Sequence, residues 1–369
     1  MVYHALWGAM NCAPTFNCKV QGAIRVPRLN GLTFTVEPAA AFPAGPLTFP
    51  EFSSCPGKRA EGFTDFRQRF TRVPGLQAIR GYCPAKVNLY LKVLGKRPDG
   101  YHDLVTVMQP LSLADELTVT WGGDDIRLAC DAPELPRGKD NLVWRAALAF
   151  AGETGRTVGA GLSLRKKIPV AAGLGGGSSD AAGTLLALNA LAGEPLDGPA
   201  LHRLAGRLGA DVPFFLDSGP VVARGIGTEL KPMELPSYWY LLLNPGVPIS
   251  TRWVYESLDL PELTGQAPPV EADFDPERPE AWVANDLETV TLGTFPQLRD
   301  LIGRLKTLGA GAAGMSGSGP TVFGIFATRE AARAAAAEVR RTFADWLAVA
   351  RGLTWRETDL GWEKDAWTI

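Results

Sequence analysis

The chain has 369 residues, which is enough for two folded lobes with sizeable hydrophobic cores. Hydrophobic residues form 46% of the sequence and charged residues 21%, the composition of an ordinary globular protein. The formal net charge of -2 excludes broad electrostatic attraction to nucleic acid or to an anionic membrane, and no apolar run is long enough to cross a bilayer.

The cysteine and histidine content argues against structural disulfides and against a histidine-built metal site. The five cysteines are an odd number and show no paired metal-ligand spacing, and there are only three histidines. A reducing compartment is the simpler interpretation, with each cysteine a small hydrophobic residue or a free thiol. We therefore expect a soluble, cytoplasmic enzyme or binding protein.

Residues 1–77 differ from the rest of the chain in composition. Pro, Phe and Gly are scattered through them with little periodicity, and residues 38–50 resemble a linker. The first fifty residues contain no Ser and few Arg, unlike an organellar presequence, and residues 1–9 lack the pattern of a secretory signal. We interpret 1–77 as a poorly ordered extension or as the product of a start codon assigned too far upstream.

A strand is predicted over residues 87–93, where apolar residues alternate with Asn88, Tyr90 and Lys92. Lys86 precedes this strand, and the alternation places Lys86 and Asn88 on one face. A lysine at the start of a strand is commonly a solvated surface residue. The sequence alone leaves Lys86 open between that role and a chemical one.

The remaining periodic segments mix strands and helices without a regular βαβ repeat. Residues 98–100 (Pro-Asp-Gly) predict a turn. Strands are predicted over 103–113, 116–121, 161–168, 239–243 and 321–326, and helices over 141–152, 181–192, 200–208, 298–308 and 329–343. This order favours an α+β protein of two lobes over a doubly wound sheet.

The most informative segment is residues 169–182, which carries four glycines and two serines between a predicted strand and a predicted helix. Glycine is needed where the backbone adopts positive φ or passes close to another group. The N–H groups and dipole at the start of the helix favour an anion. Ser178, Ser179 and Asp180 occupy positions typical of helix-capping residues, and the serine hydroxyls could also reach a phosphate or its metal ion.

This glycine-rich segment differs from the two best-known nucleotide loops. A Walker A motif needs Lys directly after its last Gly, where Ser178 stands, and the dinucleotide fingerprint needs Gly at the same place. Two interpretations remain open: an ordinary glycine-rich turn with a good N-cap, or a phosphate-binding loop of another type.

Two further segments carry candidate functional residues. Asp211 precedes a tight apolar run at residues 212–215; it is either a turn residue that bonds to nearby backbone or a partly dehydrated carboxylate suited to act as a general base. Residues 314–320 form a second glycine loop before a strand. That loop is either a simple turn or a backbone that passes close to the first loop or to a substrate.

Taken together, these segments resemble a known superfamily. Residues 84–88, 169–182 and 314–320 look like the three motifs of the galactokinase, homoserine kinase, mevalonate kinase and phosphomevalonate kinase superfamily. The triple-glycine loop, residues 97–104 and residues 209–215 are most similar to its 4-diphosphocytidyl-2-C-methyl-D-erythritol kinase family. The resemblance covers about residues 79–326 and leaves the extension and the Trp-rich tail unexplained.

The resemblance implies a two-lobed α+β fold with ATP and substrate bound between the lobes. It implies an N-terminal lobe at residues 78–236, a C-terminal lobe at 237–351 and a tail at 352–369. The implied reaction transfers the γ-phosphoryl of ATP to the 2-hydroxyl of 4-diphosphocytidyl-2-C-methyl-D-erythritol. Asp211 then matches the carboxylate that takes the hydroxyl proton, and Lys86 matches the lysine that keeps this carboxylate ionised.

The same resemblance implies the binding residues. Asn88, Tyr101 and His102 match residues that contact the cytidine part of the substrate. Separately from the resemblance, the charge of the phosphates predicts Mg²⁺ beside the nucleotide, with Ser179 as the best protein candidate for a ligand. The residues that match the ATP-binding loop are Pro169, Val170, Ala171, Ala172, Gly173, Leu174, Gly175, Gly176, Gly177, Ser178 and Ser179.

Two alternative functions stay open at this stage. A kinase of the same superfamily acting on homoserine or mevalonate would explain the glycine loops but not Asp99-Gly100-Tyr101-His102. A non-catalytic ATP-binding regulatory protein would have no chemical need for both Lys86 and Asp211. If the chain is a kinase, we expect a small-molecule substrate, no nucleic-acid or membrane partner, and a monomer or homodimer.

Overall fold

The computed structural model describes residues 69–73, 77–156, 159–217, 219–260, 274–355 and 367–368. The chain divides into two units, residues 1–59 and 60–369, and every described residue belongs to the second. Most of the segments that we predicted as extension and tail therefore lie outside the described residues. Within the described part, none of the helices combines the length and apolar character that crossing a membrane requires.

Strands and helices are intermixed along the described chain, as the sequence pattern predicted. The strands are β1 (Phe70–Arg72), β2 (Ala78–Lys96), β3 (His102–Trp121), β4 (Ile126–Cys130), β5 (Ala160–Arg165), β6 (Val221–Arg224), β7 (Glu229–Pro232), β8 (Trp239–Asn244), β9 (Ala284–Asn285), β10 (Ala312–Met315), β11 (Val322–Phe326), β12 (Trp346–Arg351) and β13 (Trp367–Thr368). The α-helices are α1 (Leu142–Thr154), α2 (Gly176–Leu191), α3 (Gly198–Leu208), α4 (Thr251–Glu256), α5 (Glu288–Thr294), α6 (Pro296–Thr307) and α7 (Arg329–Arg340).

The first sheet is built on a long antiparallel hairpin of β2 and β3, which turns at residues 98–100 as predicted. Its main order is β1-β2-β3-β5-β4, with β6 and β7 added beside β3 and a parallel contact of β9 with β2. We predicted two strands over 103–113 and 116–121, but the structure has one, β3. Ala114 and Asp115 continue the ladder with β2, because Lys166 neutralises the buried Asp115 carboxylate and removes the reason for a break.

The second sheet has the order β10-β11-β8-β12-β13, and all its pairings are antiparallel. Helices α6 and α7 pack against it with their apolar faces, including Leu298, Leu305 and Val339. Helix α7 begins where the side chain of Thr328 accepts a hydrogen bond from the backbone N–H of Ala331 at 3.1 Å. This sheet and its helices form the C-terminal lobe.

Helices α1 and α2 cover the first sheet, α3 packs on these two helices, and together they form the N-terminal lobe. A shared hydrophobic layer then joins the lobes. Val87 and Leu89 of β2 belong to the same buried cluster as Tyr240 of β8 and Phe323 of β11. The chain therefore has the predicted two-lobed α+β fold, and the layer between its sheets is continuous.

Candidate active site

Lys86 lies at the junction of β2 and the glycine-rich loop. Its side chain is buried, with 4% of the residue exposed, which excludes the solvated surface role that the sequence left open. The ammonium donates hydrogen bonds to Oδ1 of Asn88 and, at 3.0 Å, to the carbonyl oxygen of Gly173. The backbone N–H of Lys86 donates to the carbonyl oxygen of Leu174 at 2.9 Å. The lysine is thus held by the loop at both its backbone and its side chain.

Asp211 is partly buried in the turn between α3 and a short 3-10 helix, Pro213–Phe215. Burial lowers the pKa of Lys86, and the negative charge of Asp211 acts in the opposite direction. The fold thus brings the carboxylate close enough to interact with an ammonium that is distant along the chain. Asp211 occupies a turn, as one interpretation predicted, and it is a partly buried carboxylate whose charge acts on Lys86.

The glycine-rich loop adopts a backbone that needs glycine. Gly173 and Gly175 have φ values of 76° and 71°, in the left-handed region. Gly175 is the N-cap of α2, and no side chain bonds to this helix start. The prediction that Ser178, Ser179 and Asp180 cap the helix is therefore wrong. They lie within α2, because the left-handed Gly175 turns the chain into the helix earlier than the apolar periodicity indicated.

The uncapped start of α2 has a physical consequence for anion binding. The first N–H groups of a helix lack intrahelical acceptors and carry the positive end of its dipole. With no side-chain cap at this end, these groups are suited to phosphate oxygens.

The second glycine loop, residues 314–320, packs directly on the first. A Cβ placed on Gly173 would lie 2.3 Å from the carbonyl oxygen of Ser316 and 3.0 Å from that of Gly319. The hydroxyl of Ser316 donates to the carbonyl oxygen of Gly173 at 2.9 Å and accepts from the backbone N–H of Asn88 at 3.1 Å. This contact confirms the interpretation of residues 314–320 as a close backbone approach to the first loop.

Residues beyond the motifs hold this second loop in place. The side-chain amide of Asn285 donates to the carbonyl oxygens of Met315 and Gly317 at 2.9 Å and 2.7 Å. The Glu288 carboxylate accepts from the backbone N–H of Met315 at 2.8 Å. Asn285 and Glu288 lie in no pattern that the sequence analysis singled out, so reasoning from motifs missed them.

Ser179 supplies an observation that bears on a metal ion. The residue is 1% exposed, and its hydroxyl has no hydrogen-bond partner among the described residues. A buried hydroxyl without a protein partner is suited to ligate Mg²⁺, which commonly takes few protein oxygens beside those of a nucleotide. Among the described residues, no group of three or more His, Cys, Asp or Glu side chains could hold a metal ion by itself.

Tyr101 and His102 lie at the end of the β2–β3 hairpin. The ring of Tyr101 is 60% exposed, whereas His102 is buried. Burial lowers the pKa of His102, and the positive charge of Lys96 lowers it further, so the imidazole is neutral at pH 7. Tyr101 thus offers an exposed ring face and His102 a neutral hydrogen-bonding edge.

Tyr255 of α4 joins this group, although the sequence analysis missed it. Its ring lies 5.1 Å from that of His102, measured between centroids. Burial raises the pKa of the Tyr255 phenol, and the negative charge of Asp211 raises it further. Tyr255 therefore connects the surroundings of His102 with those of Asp211. No motif marks it, because α4 is a short helix from the other lobe.

Asn88 belongs to a different part of the site from His102. Its Oδ1 accepts from Lys86, and its side-chain N–H donates to the hydroxyl of Thr106 at 2.9 Å. The predicted shared face of Lys86 and Asn88 is confirmed. Contact of Asn88 with the base part of a substrate stays a prediction.

Comparison with protein families identifies both lobes. The model described as "GHMP kinases N terminal domain" matches residues 141–219, and that described as "GHMP kinases C terminal" matches residues 273–345. The first match includes the glycine-rich loop and Asp211, and the second includes the loop at residues 314–320.

Two curated relatives are similar over most of their length. A 4-diphosphocytidyl-2-C-methyl-D-erythritol kinase from Geobacter sp. (strain M21) is 46% identical over 279 residues, which cover 74% of this chain and 99% of that protein. The enzyme of the same name from Syntrophus aciditrophicus (strain SB) is 47% identical over 256 residues, covering 68% and 91%.

Solved structures agree with this relationship. A crystal structure of a 4-(cytidine 5'-diphospho)-2C-methyl-D-erythritol kinase matches with a TM-score of 0.66 and 39% identity, covering 74% of this chain and 99% of that one. A homoserine kinase from Cytophaga hutchinsonii matches with a TM-score of 0.58 at 17% identity, covering 81% and 99%, which shows a shared fold alone.

Proposed function

Because the chain belongs to the 4-diphosphocytidyl-2-C-methyl-D-erythritol kinase family, within the GHMP kinases, we propose that Lys86 and Asp211 carry its chemistry. The chain is an ATP-dependent small-molecule kinase of the non-mevalonate route to isoprenoid precursors, and it phosphorylates the 2-hydroxyl of 4-diphosphocytidyl-2-C-methyl-D-erythritol. The observation that carries the residue assignment is the buried Lys86 ammonium, held by the glycine-rich loop within electrostatic reach of Asp211.

Asp211 accepts the proton of the substrate hydroxyl in this proposal. A general base must be ionised and within reach of the proton that it takes. The negative charge of Asp211 raises the pKa of Lys86 against the effect of burial, and it raises the pKa of the Tyr255 phenol together with burial. Lys86 also offsets the negative charge that moves toward the leaving ADP.

The loop at residues 169–179 holds the triphosphate of ATP in this proposal. The N–H groups at the start of α2 are rigid donors, because Gly175 fixes the direction of the helix and the residue 314–320 loop packs against Gly173. Positioning and electrostatic stabilisation account for most of the catalysis of phosphoryl transfer. Backbone N–H groups held in place by the residue 314–320 loop of the C-terminal lobe meet that requirement.

Ser179 is proposed as the protein ligand of Mg²⁺, which when bound neutralises negative charge on the phosphate oxygens. Its buried hydroxyl lacks a protein hydrogen-bond partner among the described residues, which supports this role. The uncapped start of the same helix lies nearby in the chain, so one element would serve both nucleotide and metal.

The cytidine part of the substrate is proposed to bind at the end of the β2–β3 hairpin. The exposed ring of Tyr101 provides a face for stacking with the base, and the neutral His102 can hydrogen-bond to the base edge. Tyr255 lies beside His102 and interacts electrostatically with Asp211. In this proposal it therefore lies between the cytosine site and the reacting hydroxyl.

The first experiment measures ADP release from ATP and Mg²⁺ with 4-diphosphocytidyl-2-C-methyl-D-erythritol, homoserine or mevalonate. We expect release with the cytidylylated alcohol alone. Release with homoserine or mevalonate would move the substrate assignment within the superfamily. ATP binding by folded protein without turnover on any of the three would favour a regulatory protein.

The second experiment tests Asp211 directly. Asp211→Asn keeps the shape of the side chain but removes the base, so we expect kcat to fall by about 10²-fold or more while ATP binding is retained. Asp300→Asn is the control, because Asp300 lies at an exposed position of α6. A kcat that survives in Asp211→Asn would refute the assignment of the base.

A further inference from the structure

The described chain begins with a short segment that precedes the kinase motifs. We name residues Arg69–Arg72 the N-terminal brace. Residues Phe70–Arg72 form β1 and pair antiparallel with β2 through residues 79–81. The segment therefore forms part of the first sheet, although the sequence analysis assigned it to an extension without a role.

The brace is anchored in the core by Phe70. This side chain is 4% exposed and fills a space that two glycines leave open. A Cβ placed on Gly81 would lie 2.0 Å from the Phe70 ring, and one on Gly183 of α2 would lie 3.2 Å from it. A side chain at Gly81 would clash with the ring, and one at Gly183 would meet it in tight contact, so the kinase fold of this chain leaves room for the brace.

Arg69 reaches from the brace to the turn that carries Asp211. The residue is 5% exposed, and its guanidinium donates to the carbonyl oxygen of Phe215 at 3.0 Å and of Leu216 at 3.2 Å. Burial lowers the pKa of Arg69 to about 10, so the side chain is charged at pH 7. Hydrogen bonds from a charged donor are stronger than neutral ones.

The two carbonyl groups stand at the end of a hydrogen-bonded run that begins at Gly209 and includes Asp211. Backbone bonds link Val212 to Gly209, Phe215 to Val212 and Leu216 to Pro213, at 3.1 Å each. The Phe215 ring in turn packs beside the N-cap of α2, since a Cβ on Gly175 would lie 2.7 Å from it. A shift at the carbonyls of 215 and 216 would thus be transmitted to the Asp211 turn.

We propose that Arg69 is a positioning residue for the reaction: its guanidinium fixes the turn that presents the Asp211 carboxylate. This inference rests on the proposed role of Asp211 as the base. Arginine suits the task because its planar fork can donate to two neighbouring carbonyls at once, and a cation at the C-terminal end of a helical turn is favourable. The N-terminal brace then contributes to catalysis through the position of the Asp211 turn.

The test uses Arg69→Met and Arg69→Lys in the full chain, with kcat, KM for ATP and melting temperature measured for each. Arg69→Met removes both donors, and we expect kcat to fall by about tenfold or more with KM for ATP within about threefold of wild type. Arg69→Lys keeps a charge but loses the fork, so its kcat should lie between those of wild type and Arg69→Met.

Two variants serve as controls. Arg72→Gln removes a guanidinium that donates to the Ala190 carbonyl at the far end of α2, and Val339→Ala removes buried volume from the separate core cluster of the C-terminal lobe. Val339→Ala should lower the melting temperature, and both controls should keep kcat near wild type under conditions where the protein is folded. A kcat that falls in Val339→Ala as far as in the Arg69 variants would overturn the proposal, because the effect would then follow stability.

The remaining outcomes separate this inference from the proposed function. Folded Arg69→Met with wild-type kcat would overturn the inference. If Arg69→Met does not fold, Arg69→Lys decides, and an undiminished kcat there would also overturn it. Asp211→Asn is measured alongside: a loss of kcat in that variant but not in the Arg69 variants refutes the inference alone, whereas retention of kcat refutes the role of Asp211.

Discussion

Lys86 has three different neighbours that act on its charge. The Gly173 carbonyl and Oδ1 of Asn88 accept from its ammonium, and Asp211 acts on it electrostatically, while burial opposes its charged form. Burial has the larger effect on the pKa, which is lowered from the ordinary lysine value. The protonated state of this residue is therefore lost at a lower pH than that of an exposed lysine.

This shift predicts the alkaline limb of the pH profile. The ammonium is the active form, so kcat should fall as the pH rises through the lowered pKa of Lys86. In Lys86→Arg the guanidinium stays protonated, and this limb should disappear, with a lower kcat at pH 7 because the larger side chain disturbs its contacts. The check is a profile of kcat against pH. Lys167→Arg is the control, at a lysine whose side chain is 46% exposed and pairs with Glu116. A limb that persists in Lys86→Arg would belong to another group.

At the scale of single residues, the sequence predicted the features that depend on strand alternation and on the backbone preferences of glycine. Strand alternation placed Lys86 and Asn88 on one face, and the glycine content of residues 173–175 indicated a backbone with positive φ. Tyr255 could not be predicted, because its contact with His102 depends on how two lobes meet. The capping assignment of Ser178 failed because a left-handed glycine can start a helix without a side-chain cap.

At the scale of elements, a buried charge cluster fixes the entry to the glycine-rich loop. Asp115 of β3 accepts from the backbone N–H of Lys167 at 2.6 Å and of Ile168 at 2.9 Å. Lys166 bonds to Asp115 and, at 2.8 Å, to Asp180 of α2. Burial raises the pKa of Asp180, and Asp115 raises it further. One ammonium, on the segment after β5, thus links strand β3 and helix α2.

The cluster predicts unequal effects of two substitutions. Lys166→Met leaves two buried carboxylates without their cation, so we expect the free energy of unfolding to fall by about 3–5 kcal/mol. Asp180→Asn removes the charge that burial penalises and keeps an acceptor for Lys166, so it should change stability by about 1 kcal/mol or less. Urea unfolding measures both. Equal losses in the two variants would contradict this account of the cluster.

The same cluster explains where the prediction of elements stopped short. A charged residue in an apolar run normally indicates the end of a strand, so β3 was divided at Asp115. The partner that permits its burial is Lys166, which lies beyond three intervening elements and cannot be recognised from local pattern. Helices α1, α3, α6 and α7 were predicted because their apolar periodicity is long and uninterrupted.

At the scale of the whole molecule, Gln109 of β3 joins the two lobes. The residue is buried, its side-chain N–H groups donate to the carbonyl oxygens of Pro236 at 2.9 Å and Leu353 at 3.3 Å, and its Oε1 accepts from the Tyr240 hydroxyl. A Cβ on Gly352 would lie 2.6 Å from this side chain. The polar bridge sits beside the shared hydrophobic layer.

We therefore expect the lobes to unfold together. Calorimetry should give one transition, with the calorimetric and van't Hoff enthalpies equal. Gln109→Leu leaves two carbonyl groups and a hydroxyl without this hydrogen-bond partner. The change should lower the free energy of unfolding by about 2–4 kcal/mol. Gln297→Leu, at an exposed position of α6, should change it by less than about 0.5 kcal/mol. Two separate transitions would show that the shared layer does not couple the lobes.

The two-lobed architecture was predicted through the family resemblance of the glycine loops, and the comparisons confirm it. The N-terminal brace was not predicted, because β1 is short and the carbonyl groups that Arg69 binds lie far along the chain. The domain bounds that we placed at residues 77 and 236 stay a prediction.

The layer shared by the two sheets also limits how this enzyme can be recombined with its relatives. A chimera joined near residue 236 would set Tyr240 and Phe323 of one parent against Val87 and Leu89 of another. Packed interiors tolerate changes of volume poorly, so such a hybrid would need both halves of the layer from one parent. We therefore expect the two lobes to be exchangeable between relatives only as a pair.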